Sequence, residues 1–294
     1  MAVRRLGFIG LGAIGAPMAT TLVTNGFQLS VFDILAERIR PLVEAGARGA
    51  SSAGEVSENA EAIIIMVMNA SQVEDVLFGD DSAVQALAPG STVILMSTIG
   101  PEKVRALAGR LEESELRVLD APVSGGPSRA ETGELLVMVG GAQDLLDEAR
   151  PVLETMGSAV VHCGESPGDG QAVKMVNQLL VGIHLAAAGE ALAYADALGL
   201  DPRFVFEAVK KGAANSFMLE NRGDSMLSGE FSGGSKLEIL IKDVDLAVEA
   251  AKKHGFHAPL ASVAHEIYQQ ASELGLGDEE DAGVVRIFQR HRQS

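Results

Sequence analysis

The sequence predicts an α/β protein in which a doubly wound parallel sheet is followed by an all-helical domain. Three observations lead to this fold class. Short apolar runs alternate with helix-like patterns through the first half of the 294 residues, which is typical of βαβ units. A glycine-rich turn directly follows the first apolar run, and the patterns after residue 165 are helical. We therefore predict domains at 1–164 and 165–294, joined by a long helix.

The first predicted elements are a strand over Leu6 to Ile9, a helix over Ala16 to Val23 and a strand over Leu29 to Phe32. The second strand ends in Asp33. The turn between the first strand and the helix carries three glycines at the spacing G-x-G-x-x-G, namely Gly10, Gly12 and Gly15. Strand, tight turn, helix, strand and acid in this order are the fingerprint of a Rossmann dinucleotide-binding domain. The alternative is a glycine-rich turn in another kind of α/β protein.

Each part of the fingerprint has a physical role. Gly10 permits a turn that a Cβ would resist, Gly12 lets the backbone approach a pyrophosphate, and Gly15 lets the helix pack close to the strand. The helix N-terminus offers N–H groups to the phosphates. Asp33 can accept hydrogen bonds from a ribose diol and would repel a 2′-phosphate, so the sequence favours NAD over NADP. Arg38 would soften this preference, unless it is a solvated position on the next helix.

The remaining first-half elements follow from apolar runs and helical spacing. Predicted strands lie at 62–68, 92–96, 118–119, 135–139 and 160–162, and predicted helices at 36–45, 71–78 and 101–113. A loop over Gly164 to Gly170 then leads into one long helix over Gln171 to Leu198, which is apolar nearly all round. Four further helices are predicted at 202–211, 237–255, 259–274 and 282–291. A helix that is apolar on all sides needs extensive cover, so we expect at least a dimer through the second domain.

Composition excludes several classes of partner. The net charge of −17 would repel nucleic acid and anionic membranes, although it does not exclude a small acidic substrate. Cys163 is the single cysteine in the sequence, which indicates a reducing, cytoplasmic compartment and a small buried side chain. The 6 histidines show no metal-ligand spacing, so we predict no metal site.

Two segments carry candidate chemistry. In the loop DAPVSGGPSRAETG, Ser124 with the N–H groups of Gly125 and Gly126 could form a concavity for a carboxylate, and an ordinary turn is the alternative. Lys174 lies near the start of the long helix among apolar neighbours, with Asn177 three residues later. A desolvated lysine there is a candidate general acid or base, whereas a snorkelling or ion-paired lysine is the alternative.

Two charged segments have less specific patterns. Lys242 and Asp243 interrupt an apolar helix, and their spacing alone favours a solvated stripe over a site. The acidic run at 278–281 is most simply read as favourable charge at the start of the last helix.

Four segments in order resemble the β-hydroxyacid dehydrogenase family: GFIGLGAIGAPMA, DAPVSGGPSRAETG, GDGQAVKMVNQ and KLEILIKDVDLA. The resemblance runs essentially from end to end. It implies Lys174 as the catalytic residue, and a substrate site formed by Ser124, Gly125, Gly126, Asn177 and Asn215. It implies a cofactor site formed by Gly10, Leu11, Gly12, Ala13, Ile14, Gly15, Asp33, Met68, Asn69, Thr98 and Lys242. Met96 stands before the Ser97–Thr98 pair where many members carry an acid nearby.

The resemblance also implies an activity. The expected reaction is NAD-dependent hydride transfer at the 3-hydroxyl of a short hydroxy carboxylate. The segment AANSFMLENRG is similar to the L-threonate dehydrogenase branch, which acts on four-carbon sugar acids. Alternatives are 3-hydroxyisobutyrate dehydrogenase, tartronate semialdehyde reductase and, more remotely, a non-catalytic nucleotide-binding protein. The self-association expected from the long apolar helix leaves a homodimer and a homotetramer open.

Overall fold

The computed structural model describes residues 4–290. The chain divides after Lys174 into two compact units, an N-terminal unit and a C-terminal unit that begins at Met175. The described part of the N-terminal unit contains nine strands. They are β1 (Arg5–Ile9), β2 (Gln28–Phe32), β3 (Arg48–Gly49), β4 (Ala62–Ile65), β5 (Thr92–Leu95), β6 (Arg117–Asp120), β7 (Val123–Ser124), β8 (Leu136–Gly140) and β9 (Ala159–Gly164).

The nine strands form one sheet in the order β3-β2-β1-β4-β5-β6-β8-β7, with β9 paired to β8. All pairs from β3 to β6 are parallel, whereas β8 runs antiparallel to β6 and β7. The chain moves outward from β1 to β3 and then crosses back to β4 beside β1. Ligands of doubly wound sheets bind at the carboxyl ends of the strands at such a reversal. The topology therefore directs attention to the ends of β1 and β4.

Helices cover both faces of this sheet. They are α1 (Gly15–Thr24), α2 (Arg40–Glu44), α3 (Ala53–Ser57), α4 (Ala70–Phe78), α5 (Ala83–Ala86), α6 (Pro101–Glu112), α7 (Gly126–Glu131) and α8 (Gln143–Met156). Alternate residues of β4 enter different cores: Ile64 packs with residues of α1 and α8, while Ile63 and Ile65 pack with residues of α4 and α6. Burial on both faces explains why this strand is a continuous apolar run.

The N-terminal unit contains elements that the sequence prediction lacks, namely β3, α3, α5, β7, α7 and α8, and it divides one predicted helix. The single helix predicted at 36–45 is wrong, because a 3₁₀ turn at Ala36–Arg38 precedes α2. Pro41 is the second residue of α2, and its ring would clash with the carbonyl four residues earlier in a continuous helix. We predicted no element at α8, although its buried residues Leu145, Leu146, Ala149, Val152, Leu153 and Met156 follow a helical period.

The C-terminal unit is helical, as predicted. Its elements are the greater part of α9 (Asp169–Ala197), α10 (Pro202–Val209), α11 (Phe217–Ser228), α12 (Leu237–Lys253), α13 (Pro259–Glu273), a 3₁₀ turn (Asp281–Val284) and α14 (Val285–Arg290). We did not predict α11. Leu185 and Leu192 of α9 share a core with Phe206 and Tyr268. Gly223 lets α11 approach α10 closely, since a Cβ there would overlap the Phe206 ring.

The long helix α9 confirms the prediction of one continuous element. By length and composition alone, this helix among the described residues could also cross a membrane. Its most apolar window is 44% buried inside the protein. Leu185, Ala186, Ala188 and Leu192 of this helix belong to the helical core. One side of α9 therefore belongs to the core of the C-terminal unit.

The acidic run at 278–281 supplies charge at a helix start and also forms buried ion pairs. Arg222 and Asp281 are both buried, and the Arg222 Nε donates to Asp281 Oδ1 at 2.5 Å. Glu280 is also buried and lies 3.5 Å from the same Nε. Burial raises the pKa of Asp281, and the Arg222 charge opposes that rise. The run therefore joins the C-terminal segment to α11 through buried ion pairs.

Candidate active site

The glycine turn lies at the carboxyl end of β1. It is tightly packed at Gly15 and open at Gly12. Gly10 has a φ of +97° and donates its N–H to the Phe32 carbonyl at 3.0 Å. A Cβ on Gly15 would overlap the Gly10 carbonyl, whereas one on Gly12 would meet no atom within 4 Å. The N-cap residue of α1, Ile14, makes no side-chain cap. These features fit a dinucleotide whose phosphates approach the backbone at a helix N-terminus.

Asp33 follows β2 and ties the glycine turn to the second strand. Its carboxylate is buried and accepts hydrogen bonds from the Leu11 N–H at 2.7 Å and the Leu35 N–H at 2.9 Å. The Arg38 Nη1 lies 3.4 Å from the same carboxylate, and the Arg38 side chain is 44% exposed. The expectation that Arg38 is simply solvated is therefore wrong. One cation stands beside the acid that the fingerprint assigns to the ribose.

Other predicted cofactor residues follow β4 and β5. Met68 is exposed, and the Asn69 side chain caps α4 by accepting the Gln72 N–H at 2.9 Å. Ser97 is buried, and its Oγ accepts the Val67 N–H at 2.8 Å, so it joins the ends of these two strands. Thr98 follows directly. The fold thus brings the predicted residues of the N-terminal unit to the carboxyl edge of the sheet, where their cofactor roles stay predictions.

Lys174 is held at the predicted substrate loop. It is only 5% exposed, and its Nζ donates to the Val123 carbonyl at 2.7 Å. Ser124 is the next residue after Val123, and both form the short strand β7. Gly125 and Gly126 follow with φ of +140° and +75°, which side chains resist. A lysine that snorkels to solvent is excluded by this burial.

Two buried residues that we missed hold the first turn of α9. The Asp120 carboxylate accepts the Gly168 N–H at 2.7 Å and the Gln171 N–H at 3.1 Å. The Gln171 side chain accepts from Ile99 and Gly100 and donates to the Ser97 carbonyl, all within 3.1 Å. Asp120 lies in the motif DAPVSGGPSRAETG and Gln171 in the motif GDGQAVKMVNQ. Their place in these two family motifs was the one sequence signal that could have identified them.

Asp120 has an unusual ionisation. Burial raises its pKa to about 7, against backbone hydrogen bonds that lower the pKa and with the charge of Asp169 adding to the rise. Its Oδ2 accepts the two hydrogen bonds from the start of α9, while its Oδ1 is also buried.

A second buried network lies within the C-terminal unit. Gln178 donates to Asp243 Oδ2 at 2.7 Å, and Lys242 Nζ donates to Asp243 Oδ1 at the same distance. Asn177 donates to the Gln178 side-chain oxygen at 2.8 Å. Asp243 is buried, so the solvated stripe that its spacing favoured is wrong for this residue. The predicted Asn177 and Lys242 are joined through Gln178 and Asp243.

Asn215 lies in the exposed segment before α11. Its side chain donates to Glu220 at 2.7 Å, and Ser216 caps the helix by accepting the Leu219 N–H. Its role in substrate binding stays a prediction. Within residues 4–290, no three His, Cys, Asp or Glu side chains are grouped as metal ligands would be.

Comparison with known proteins decides the family. The model for the NAD binding domain of 6-phosphogluconate dehydrogenase matches residues 5–164, and the model for the NAD-binding of NADP-dependent 3-hydroxyisobutyrate dehydrogenase matches 168–288. L-threonate dehydrogenase of Cupriavidus necator is 38% identical over 97% of this chain and 96% of that protein. The chain belongs to the β-hydroxyacid dehydrogenase family.

Other members of the family are also similar. The NAD-dependent L-serine dehydrogenase of Pseudomonas aeruginosa is 34% identical over 97% of this chain and 98% of that protein. The crystal structure of 3-hydroxyisobutyrate dehydrogenase from Salmonella typhimurium superposes with a TM-score of 0.90 at 36% identity, covering 97% of this chain and 99% of that one. The predicted family and its L-threonate dehydrogenase branch are confirmed. As a β-hydroxyacid dehydrogenase, the protein is an oxidoreductase with an NAD(P)-binding domain.

Proposed function

We propose that this protein transfers hydride between NAD and the 3-hydroxyl of a short hydroxy carboxylate, and that its substrate is a four-carbon sugar acid such as L-threonate. The observation that carries the proposal is the buried amine of Lys174, 2.7 Å from the carbonyl that precedes Ser124. A proton-transferring group and a candidate carboxylate-binding loop are thereby held side by side.

The protein residues position the substrate and move one proton. Ser124 and the N–H groups of Gly125 and Gly126 hold the substrate carboxylate. The Lys174 amine hydrogen-bonds to the reacting hydroxyl, accepting its proton in oxidation and returning it in reduction. Asn177, held by Gln178, orients that hydroxyl, and Asn215 contacts the substrate. The nicotinamide ring accepts or donates the hydride when it is bound. Positioning then provides much of the rate enhancement.

The cofactor is held by the glycine turn and by residues that follow the neighbouring strands. The proposed set is Gly10, Leu11, Gly12, Ala13, Ile14, Gly15, Asp33, Met68, Asn69, Thr98 and Lys242. Asp33 supports NAD, because its carboxylate would repel a 2′-phosphate. Arg38, at 3.4 Å from that carboxylate, offsets part of the repulsion. We expect Asp33→Asn to lower the ratio of kcat/KM with NAD to kcat/KM with NADP, and Arg38→Ala to raise it. The same ratio in the wild-type protein and both variants would refute the assignment of Asp33 and Arg38 to cofactor selection.

The substrate is proposed from the relatives and from the polar residues around α11. Asn215, Glu220 and Asn221 suit a polyhydroxylated substrate better than a methyl-bearing one. The test measures NADH formation from NAD and NADPH formation from NADP. The compounds tried with each cofactor are L-threonate, D-erythronate, 3-hydroxyisobutyrate, D-glycerate and L-serine. The highest kcat/KM with L-threonate supports the proposal, and a preference for 3-hydroxyisobutyrate or L-serine overturns the substrate. No turnover with any compound favours a non-catalytic nucleotide-binding protein.

The role of Lys174 has its own test. We expect Lys174→Ala to lower kcat by about 10²-fold or more, as loss of a general acid–base does, with unchanged NAD affinity. Lys103→Ala is the matched control, because Lys103 is an exposed lysine on α6 of the same unit. Retained turnover with unchanged cofactor binding would remove Lys174 from the mechanism.

We also propose that two copies associate through the C-terminal unit. Val176, Leu180 and Tyr194 are exposed on α9, and Leu198, directly after its last residue, is exposed as well. They fall on one face at 3.6 residues per turn, and this apolar stripe is self-complementary between two copies. The dimer, or a tetramer built from two such dimers, is expected to be cytoplasmic and to bind neither nucleic acid nor membranes. A monomer mass by light scattering at micromolar concentration would contradict it.

A further inference from the structure

Asp120 is a buried carboxylate that the proposed reaction does not use. Building on the proposed function, we propose that Asp120 is a positioning residue: its carboxylate holds the first turn of α9, and through that turn it aligns the Lys174 amine with the Ser124–Gly126 loop. Asp120 acts through the backbone N–H groups of Gly168 and Gln171 at the start of the helix.

The start of α9 lacks the usual capping side chain. Gly168 precedes the first helical residue, and capping positions usually carry Ser, Thr, Asp or Asn, whose oxygen accepts an N–H two or three residues later. Here that acceptor comes from β6. The Asp120 Oδ2 accepts the N–H groups of Gly168 and Gln171 at 2.7 Å and 3.1 Å. A carboxylate at a helix N-terminus also interacts favourably with the helix dipole.

Two glycines let this carboxylate reach the helix. A Cβ on Gly170 would overlap Asp120 Oδ1 and the Met138 carbonyl. A Cβ on Gly140 would lie 2.6 Å from the Gly170 nitrogen and 2.9 Å from the Asp169 nitrogen. The first turn of α9 is therefore seated directly on β6 and β8, and Asp120 is the charged group at that contact.

The position of Lys174 depends on this contact. Lys174 lies one turn beyond Gln171, so any movement of the helix start moves the lysine backbone. Its amine bonds to the carbonyl of Val123, which is three residues after Asp120. The segment 120–123 thus contacts the start of α9 at two points, through the Asp120 carboxylate and the Val123 carbonyl. It then continues into the Ser124 loop. Since misplacement by about 1 Å can lower a rate about 10²-fold, loosening either point should reduce kcat.

The electrostatic surroundings make this alignment sensitive to pH. Burial raises the Asp120 pKa to about 7, so its charge is lost on the acid side of neutrality and its hydrogen bonds to the helix weaken. Asp169 on α9 and the thiol of Cys163 on β9 interact electrostatically with Asp120. Asp169 raises the Asp120 pKa further, and Arg105 lies 3.7 Å from Asp169. Burial raises the pKa of the half-buried Cys163 thiol, and the carboxylates of Asp120 and Asp169 add to that rise.

The kinetic test uses Asp120→Asn, which keeps the shape and one acceptor oxygen but has no charge. It is run in the reductive direction, in which Lys174 is proposed to give its proton to the substrate. We expect the wild-type enzyme to show an acid limb near pH 7 that the variant lacks. At pH 8 the variant should have a kcat about 10-fold lower, with unchanged NADH affinity. A variant that keeps the wild-type acid limb, or the wild-type kcat at pH 8, overturns the proposal.

The matched control is Asp169→Asn. Asp169 carries the same charge in the same turn, but its carboxylate bonds to the Ser166 N–H rather than to Gly168 or Gln171. This variant should retain the acid limb and move it to lower pH, because removing the neighbouring charge lowers the Asp120 pKa. Loss of the limb in Asp169→Asn would show that the limb does not belong to Asp120.

A second measurement is independent of turnover. Amide hydrogen exchange across 168–174 at pH 8 should be at least about 10-fold faster in Asp120→Asn than in the wild-type protein, while the central strand β4 keeps its protection. Equal exchange would overturn the positioning role. If the wild-type protein turns over no hydroxy acid yet exchange accelerates as expected, the proposed function fails while the capping of α9 by Asp120 stands.

Discussion

The ionisation of Asp120 has a consequence for stability as well as for kinetics. Its pKa is about 7 in the folded protein, against 3.8 for an aspartate side chain exposed to water. Between these values the folded state binds a proton that the unfolded state has released. The free energy of unfolding must therefore fall as pH rises through this interval and level off above about pH 7. Asp120→Asn removes this dependence.

The size of the effect follows from the two pKa values. A separation of about three pH units, at about 1.4 kcal/mol each, corresponds to about 4 kcal/mol in total. About 2 kcal/mol of this falls between pH 5.5 and 8, a range that stays above the sequence pI of about 4.7. Backbone N–H groups of Arg5 and Arg4 lower the pKa of Glu61, and a hydrogen bond from Arg117 lowers the pKa of Glu148. Both acids titrate below this range and are common to both proteins.

The measurement is urea unfolding followed by far-ultraviolet circular dichroism at half-unit steps from pH 5.5 to 8. The quantity of interest is the free energy of unfolding of Asp120→Asn minus that of the wild-type protein. We expect this difference to rise by about 2 kcal/mol across the range. A difference that is flat with pH, or that falls, would refute a raised pKa at Asp120. It would also remove the electrostatic support for the pH-dependent alignment of Lys174.

Three further substitutions test individual contacts. Gly15→Ala should weaken NAD binding at least about 10-fold by calorimetry, because the new Cβ overlaps the Gly10 carbonyl and α1 must shift. Gln171→Leu should lower the free energy of unfolding by about 3 kcal/mol in urea, since three buried backbone groups at Ser97, Ile99 and Gly100 lose their partner. Arg222→Met should lower it by about 3–5 kcal/mol, because Glu280 and Asp281 stay buried without their cation.

Each of these has a result that would contradict it. Wild-type NAD affinity in Gly15→Ala would mean that α1 can shift away from the Gly10 carbonyl without changing the conformation of the glycine turn. Wild-type stability in Gln171→Leu would mean that water replaces the amide. For Arg222, a loss confined to low salt would indicate a solvated pair, because exposed ion pairs are screened by salt and buried ones are screened much less.

Local patterns predicted most of the fold. The strand β4 is recognisable because every one of its residues is buried on one face or the other, so its apolar run reflects its place in the sheet directly. The glycine turn and Asp33 were also predictable, because backbone torsion and close approach restrict which residues can stand there. Helices were harder to predict where a proline interrupted a helical apolar pattern. Pro41 divides one predicted helix, and Pro151 within α8 obscured a regular apolar period.

Sequence alone thus determined the two-domain α/β plan, the dinucleotide fingerprint and the candidates Ser124 and Lys174, because periodicity, torsion and motif spacing are local properties. Only the tertiary structure decided which carbonyl the lysine amine contacts, 51 residues away, and which carboxylate caps its helix. It also decided that Asp243 is buried against Gln178, 65 residues apart. Burial and hydrogen bonding between distant segments depend on how strands and helices are stacked, and no local pattern encodes that stacking.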